Sequence, residues 1–256
     1  MTRALLAAVL AAIALPLHAV ELRVLSAGAV EPGVKPALAA FERASGHTVA
    51  ISFAAAPALR AALRAPAVAD VIIVPQGVLD ELAATGSKVD GPRAAIGKVG
   101  VGVAVRPGVA APDITSAETL KAALLGADVV VYNRASTGVW VERMLQRLGV
   151  ADAVRPKSER FADGASVMRR LLAGTSLREF GFGAMTEIAL FRDQGLRLVG
   201  PLPAALQNTT TYIAVPWPGL VPGDGARADA VAALMHHLQG SESRSQFANA
   251  GIEPTH

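Results

Sequence analysis

The residues best placed to do chemistry in this chain lie where short apolar runs give way to helix-forming sequence. Ser26-Ala27-Gly28-Ala29 follows Leu22 to Leu25, Ala54-Ala55-Ala56 follows His47 to Phe53, and Pro75-Gln76 follows Asp70 to Val74. Each loop ends at a helix start, where the first backbone N–H groups lack partners within the helix and carry the positive end of its dipole. Neither of the first two loops has a side chain bulky enough to cover those groups, so each of these junctions suits an anion. One alanine loop alone reads more simply as tight strand-to-helix packing; two in succession favour a site.

The second half of the chain supplies the polar candidates. Asn133-Arg134-Ala135-Ser136-Thr137-Gly138 is the most polar of the strand-to-helix loops. The Arg134 guanidinium matches a carboxylate in a two-pronged hydrogen bond, and Ser136, Thr137, Thr186 and Asn208 add hydroxyl and amide groups. Glu31 and Glu187 each stand beside a helix start in a cleft loop. A carboxylate there is first a partner of the helix dipole and only then a general base. Tyr132 and Trp140 sit at strand and helix positions that usually belong to a core.

Other chemistries find no support. There is no G-x-S-x-G elbow and no cysteine, which removes thiolate nucleophiles, disulfides and lipid attachment at an N-terminal cysteine. The adjacent His236 and His237 point about 100° apart on a helix and cannot face one metal together. No cofactor, metal or designated catalytic residue is expected. The net charge is +3 over 256 residues, with no basic block interleaved with aromatics, so a nucleic-acid partner is not expected.

These loops require a particular scaffold. Three successive strand-helix units between Leu22 and Gly86 predict a parallel sheet with right-handed crossovers, whose ligands collect at the carboxyl ends of the strands. From Gly97 to Val105, valines alternate with Gly100, Gly102 and Ala104. This predicts a strand with one bare face, against which another element must pack closely. A second α/β lobe is expected to open at a capping box of Thr115 and Glu118. Its helices carry Leu120 and Leu124, then Val139, Met144, Leu145 and Leu148, and end at Gly149. The threonine-rich run from Gln207 leads into a strand through Val215, and the C-terminal helices return to the first lobe. The expected division is residues 20–104 and 212–256 for one lobe and 105–211 for the other, joined by two strands as a hinged clamp.

The first 19 residues form a separate unit. Arg3, the apolar run Ala4 to Leu15 and Leu17-His18-Ala19 make a secretory signal peptide with cleavage after Ala19. The run is short of the roughly 20 residues that a spanning helix needs. The expected location is the periplasm, and 52% hydrophobic residues provide for a substantial core.

Leu22-Arg23-Val24-Leu25-Ser26-Ala27, the spacing to Phe41, the Ser52-Phe53-Ala54 loop and Ala69-Asp70-Val71-Ile72-Ile73 resemble the periplasmic molybdate-binding proteins, the substrate-binding components of ABC importers. The resemblance spans essentially the whole chain after the leader. It implies the type II periplasmic binding protein fold, an α/β architecture of two Rossmann-like lobes with mixed, mostly parallel sheets joined by two hinge strands. It also implies a small anionic ligand in the cleft, an ABC permease as partner and a monomeric protein. In that family the first two loops offer serine hydroxyls to a tetrahedral oxyanion. The matching positions here are Ala29 in the first and Ala55, Ala56 and Pro57 in the second, and the third strand ends in Val74-Pro75-Gln76. The expected ligand is therefore an organic carboxylate or an oxyanion other than molybdate. The residues expected to bind it are Ser26, Ala27, Gly28, Ala29, Ala55, Ala56, Gln76, Arg134, Ser136, Thr137, Thr186 and Asn208. The scaffold is also similar to that of aconitate isomerase, which implies as an alternative a cofactor-free isomerase acting on a tricarboxylate.

Overall fold

The computed structural model describes residues 19–64, 69–87, 89, 91–217 and 224–255. The expected leader, apart from Ala19, lies outside them, as do Pro218 and Gly219, the second half of a Pro-Trp-Pro-Gly run whose composition reads as a turn.

The chain opens with the expected repeats. β1 (Glu21–Ala27) leads through a 3-10 turn, Gly28–Val30, into α1 (Glu31–Ser45). β2 (Thr48–Ala54) leads into α2 (Ala56–Ala62), and β3 (Val71–Pro75) into α3 (Gln76–Ala84). Val34, Ala37, Leu38 and Phe41 recur at helical spacing and are buried, so α1 lays one apolar face on the sheet. Gly46 ends it in the left-handed conformation at φ 74°, which costs glycine least.

β4 (Ala94–Val105) is the long crossing strand. Beyond it follow α4 (Ala117–Gly126), β5 (Val129–Asn133), α5 (Ser136–Arg147), α6 (Ala151–Val154), β6 (Ser158–Phe161), α7 (Gly164–Leu172), β7 (Glu179–Ala184), α8 (Met185–Ala189) and β8 (Arg197–Pro201). β9 (Thr209–Pro216) crosses back, and α9 (Gly225–Gln239) and α10 (Ser241–Asn249) close the chain. The strand order is β2-β1-β3-β9-β4-β7-β5-β6, with β8 also paired to β4. β1, β2 and β3 are mutually parallel, as are β7, β5 and β6, while β4 and β9 run antiparallel to their neighbours. This is the expected mixed, mostly parallel α/β architecture.

β4 changes partner along its length: Ala94 to Gly100 pair with β9, and Val101 to Val105 with β7 and β8. The Gln207 side chain binds both backbone groups of Val101, accepting its N–H and donating to its carbonyl, each at 3.0 Å. The ladder on β4 thus changes partner between Gly100 and Val101. The bare face of β4 is covered as expected. A methyl placed on Gly102 would lie 2.8 Å from Met185 Cγ, and one on Gly100 3.1 Å from Met185 Cε. Met185 opens α8, so the crossing strand and a cleft helix are in direct contact. The far end returns too: Lys98 and Glu253 exchange backbone hydrogen bonds of 2.7 and 2.9 Å.

Two local expectations are corrected. The capping box of α4 is Ser116 with Thr119, one residue on from Thr115 and Glu118. Asp113 Oδ1 accepts from both the N–H and the hydroxyl of Thr115, at 2.9 and 2.7 Å, and so removes Thr115 from the cap. The edge strand β6 was not expected. Among the described residues it pairs with β5 alone, and its short, charged Ser-Glu-Arg-Phe sequence suits a sheet edge. Apolar side chains form one core in the first lobe and two in the second, on opposite faces of its sheet.

Candidate functional site

The carboxyl ends of β1, β2 and β5 converge on a narrow cavity of about 30 Å³ between the lobes. Lobe 1 contributes Ala27, Gly28 and Ala29 from the first junction, Ala54, Ala55 and Ala56 from the second, and Pro75. Lobe 2 contributes Asn133, Ala135, Ser136 and Thr137 around the start of α5, Gly164 at the start of α7, and Glu187 from α8. Tyr212 enters from β9. Of the expected ligand residues, Ala27, Gly28, Ala29, Ala55, Ala56, Ser136 and Thr137 are brought together here.

The others stand elsewhere. Arg134 is exposed and not on this lining. Its N–H continues the β5–β6 ladder by donating to Phe161 O at 2.8 Å, and strand alternation turns its side chain away from the face that Asn133 occupies. Ser26 is fully buried and its hydroxyl donates to the Ala27 carbonyl. The Gln76 amide donates to Asp80 Oδ1 at 2.7 Å, one turn along α3. Thr186 is buried, and its hydroxyl donates to the Ala29 carbonyl, which joins lobe 2 to the first junction of lobe 1. The Asn208 carbonyl accepts from Val101 N at the crossing. Tyr132 and Trp140 pack in the lobe 2 core, with the Trp140 indole N–H donating to Leu206 O.

Asn133 is the residue that sequence reasoning left out. It is buried at the end of β5, and its Oδ1 accepts from the N–H groups of Ala135 and Gly138 at 3.0 and 2.9 Å. That fixes the amide orientation and leaves its NH₂ as the donor available to the cavity. The close turn requires glycine, because a methyl on Gly138 would fall 1.6 Å from Asn133 O. An asparagine followed by a glycine five residues on, across a helix start, was the available signal.

Among the described residues, Glu187 is the only one to bring a carboxyl to the lining. At the third position of α8 it reaches back toward the Ala184 backbone N–H, the arrangement of a capping glutamate. Its carboxyl also lies against glycine on both lobes: a methyl on Gly164 would fall 2.1 Å from Oε2, and one on Gly28 3.3 Å from Oε1. Burial, with repulsion from Asp163 and Glu31, pushes its pKa up to about 7, while the Ala184 hydrogen bond opposes the shift. Tyr212 stays a neutral phenol, since burial and the neighbouring Glu187 both raise its pKa.

Beside this cavity, and sharing Gly28, Ala54, Ala55 and Glu187 with it, is a wider one of about 510 Å³. Glu31, Asp163 and Arg169 stand on its wall. Glu31 is paired with Lys35 one turn on, Asp163 Oδ1 accepts from Ser166 N at 2.7 Å, and Arg169 donates to the Ser166 hydroxyl at 3.1 Å. A more apolar groove between Val109 to Asp113, α4 and Leu177 to Phe180 lies at the opposite end of the lobe 2 strands. It takes no part in the cleft. Among the described residues no group of histidines and acids has the arrangement of a metal site, and no helix is long and apolar enough to cross a membrane.

Comparison with known proteins places this geometry. The family model of bacterial extracellular solute-binding proteins matches residues 22–253. An aconitate isomerase of a Pseudomonas species is 27% identical over 242 residues, covering 91% of this chain and 87% of that protein. Among solved structures, the periplasmic molybdate-binding protein of Azotobacter vinelandii superposes with a TM-score of 0.70 at 17% identity, over 92% of this chain and all of that one. The tungstate ABC transporter structure from Geobacter sulfurreducens gives 0.66 at 15% identity, over 90% and 98%.

Proposed function

Since the chain belongs to the bacterial extracellular solute-binding proteins, we propose that its cleft captures a small anion in the periplasm, after removal of the leader, and delivers it to an ABC permease. The observation that carries this reading is the convergence of three strand-to-helix junctions, Ala27–Ala29, Ala54–Ala56 and Asn133–Thr137, on one cavity. Their backbone N–H groups and the Asn133 amide give a ring of donors, and several helix dipoles add their positive ends. The names of the structural neighbours, which bind molybdate and tungstate, support an anion.

The alanines argue for a ligand other than molybdate. A tetrahedral dianion held by Ala29, Ala55 and Ala56 receives no side-chain hydrogen bond from them, and each such bond to a charged group is worth about 1.5–3 kcal/mol. An organic carboxylate extends instead into the wider cavity, where Arg169 rather than Arg134 provides the guanidinium for a distal carboxylate. Calorimetry with molybdate, tungstate, sulfate, citrate and trans-aconitate tests this reading. The expected result is binding of a carboxylate in preference to molybdate, weakened by Arg169→Ala and unaffected by Arg134→Ala. Submicromolar molybdate binding, or no binding of any of these anions, overturns it.

One observation favours a second reading. A carboxyl with a pKa near 7 in an enclosed cavity has the property of a general acid–base, and the aconitate isomerase relative covers most of the chain. Moving an allylic proton takes it from one carbon and returns it to another, which a single positioned base accomplishes without a cofactor. Turnover of trans-aconitate followed by ultraviolet absorbance separates the readings. Conversion that Glu187→Gln abolishes establishes the enzyme, and a bound, unconverted ligand establishes the binding protein.

A further inference from the structure

Among the described residues, the narrow cavity is lined by two titratable side chains, Glu187 and Tyr212, and by no lysine, arginine or histidine. That is an unusual furnishing for an anion site. Glu187 projects from lobe 2 with its carboxyl oxygens against Gly164 of its own lobe and Gly28 of the other. With glycine backbone on both sides, the carboxyl occupies space that the two lobes enclose together.

The charged groups facing it are known from each element packed around it. α7 presents Asp163 and, in the wider cavity, Arg169; α1 presents Glu31, already engaged by Lys35; β9 presents Tyr212. The starts of α2 and α5 bring only alanine, serine and threonine to the lining. An anion enclosed among these residues would therefore share a cavity of about 30 Å³ with a carboxylate and no cation. Two like charges at such a separation do not both persist, and the weaker acid takes a proton. For sulfate or a fully ionised carboxylate as ligand, the weaker acid is Glu187.

We propose that Glu187 meets the bound anion as the neutral carboxylic acid, donating its O–H to a ligand oxygen, so that capture by the ionised form takes up one proton from solvent and loss of that proton favours release. This rests on the anion-capture reading and names what selects the ligand: an acceptor oxygen facing Glu187. A ligand presenting an ammonium there would pair with the ionised form instead and shed a proton. The group is already poised for the exchange, since burial, Asp163 and Glu31 hold its pKa at about 7 before any ligand arrives.

The test is calorimetry on the secreted chain with trans-aconitate and with sulfate, neither of which titrates near neutrality. Titrations are run in two buffers of different ionisation enthalpy. Proton uptake makes the observed heat depend on the buffer, with a slope approaching one proton per ligand above neutrality. Raising the pH from about 7.5 to about 8.5 weakens binding roughly tenfold. Glu187→Gln, which keeps a donor but cannot ionise, removes both the buffer dependence and the fall with pH. Binding with buffer-independent heat, or with proton release, overturns this inference and leaves anion capture standing. If neither probe binds at either pH, this inference falls, while anion capture falls only if molybdate, tungstate and citrate fail to bind as well.

Discussion

Both walls of the cleft are strand-to-helix junctions, yet lobe 1 presents alanine, glycine and proline where lobe 2 presents Asn133, Ser136, Thr137 and Glu187. Apart from the Tyr212 phenol on β9, the lobe 1 wall offers a ligand backbone N–H groups and helix dipoles, which respond to charge and hardly to shape. On the lobe 2 wall the donors have fixed directions, because Asn133 is clamped by Ala135 and Gly138 and the Glu187 carboxyl is wedged between two glycines. On the proposed anion-capture reading, the difference divides the work: lobe 1 attracts the anion and lobe 2 selects it. A contact that joins the walls runs from Thr186 of lobe 2 to the Ala29 carbonyl of lobe 1.

The sharpest way to break the comparison is to unfasten the lobe 2 wall. Gly138→Ala drives a methyl into the Asn133 carbonyl, an overlap with backbone that no rotamer relieves. It is expected to cost more than about 3 kcal/mol in urea unfolding and to abolish ligand binding. A variant of near wild-type stability would show that the Asn133 turn is not rigid.

A smaller effect belongs to Glu187. Its folded pKa of about 7 lies above its ordinary value of 4.5, so the folded state holds the proton more tightly than the unfolded chain between those limits. Its contribution to stability is complete below about pH 4.5 and is lost as the pH rises through about 7, a total of roughly 3 kcal/mol. Glu187→Gln does not titrate. The stability difference between variant and wild type, from denaturant melts along a pH series, is expected to move in favour of the variant over that interval. A constant difference would place the carboxyl in a solvent-like setting.

The smallest effect comes from giving lobe 1 what it lacks. Ala55 is the N-cap of α2, extended at φ −76° and ψ 159°, with no side-chain cap. Ala55→Ser places a hydroxyl there and is expected to raise stability by about 1 kcal/mol. The same hydroxyl faces the cavity, so sulfate and molybdate affinities are expected to rise about tenfold by calorimetry. Unchanged affinity would mean that the second junction does not touch the ligand.

How much of this was legible in the chain follows from the range of the interactions. Helix faces such as Val34, Leu38 and Phe41, the stops at Gly46 and Gly149, and the bare face of β4 are set by residues a few positions apart, and all are present in the structure. The alanine junctions were legible for the same reason, since a helix start exposes its N–H groups wherever it lies in the fold. The capping box at Ser116 was misplaced by one residue because a single Asp113 hydrogen-bond pattern decides it.

The sequence by itself determined the α/β class, the family and the order of the main elements, though not the edge strand β6, because hydrophobic periodicity and loop composition are local and redundant. Only the tertiary structure decided which side chains share the cavity. Strand alternation and the β6 pairing sent Arg134 to solvent, while chain folding brought Gly28, Gly164 and Glu187 together from three distant elements. The proton affinity of Glu187 belongs to that second class. It depends on burial and on the approach of Asp163 and Glu31, which are quantities of space and not of spacing.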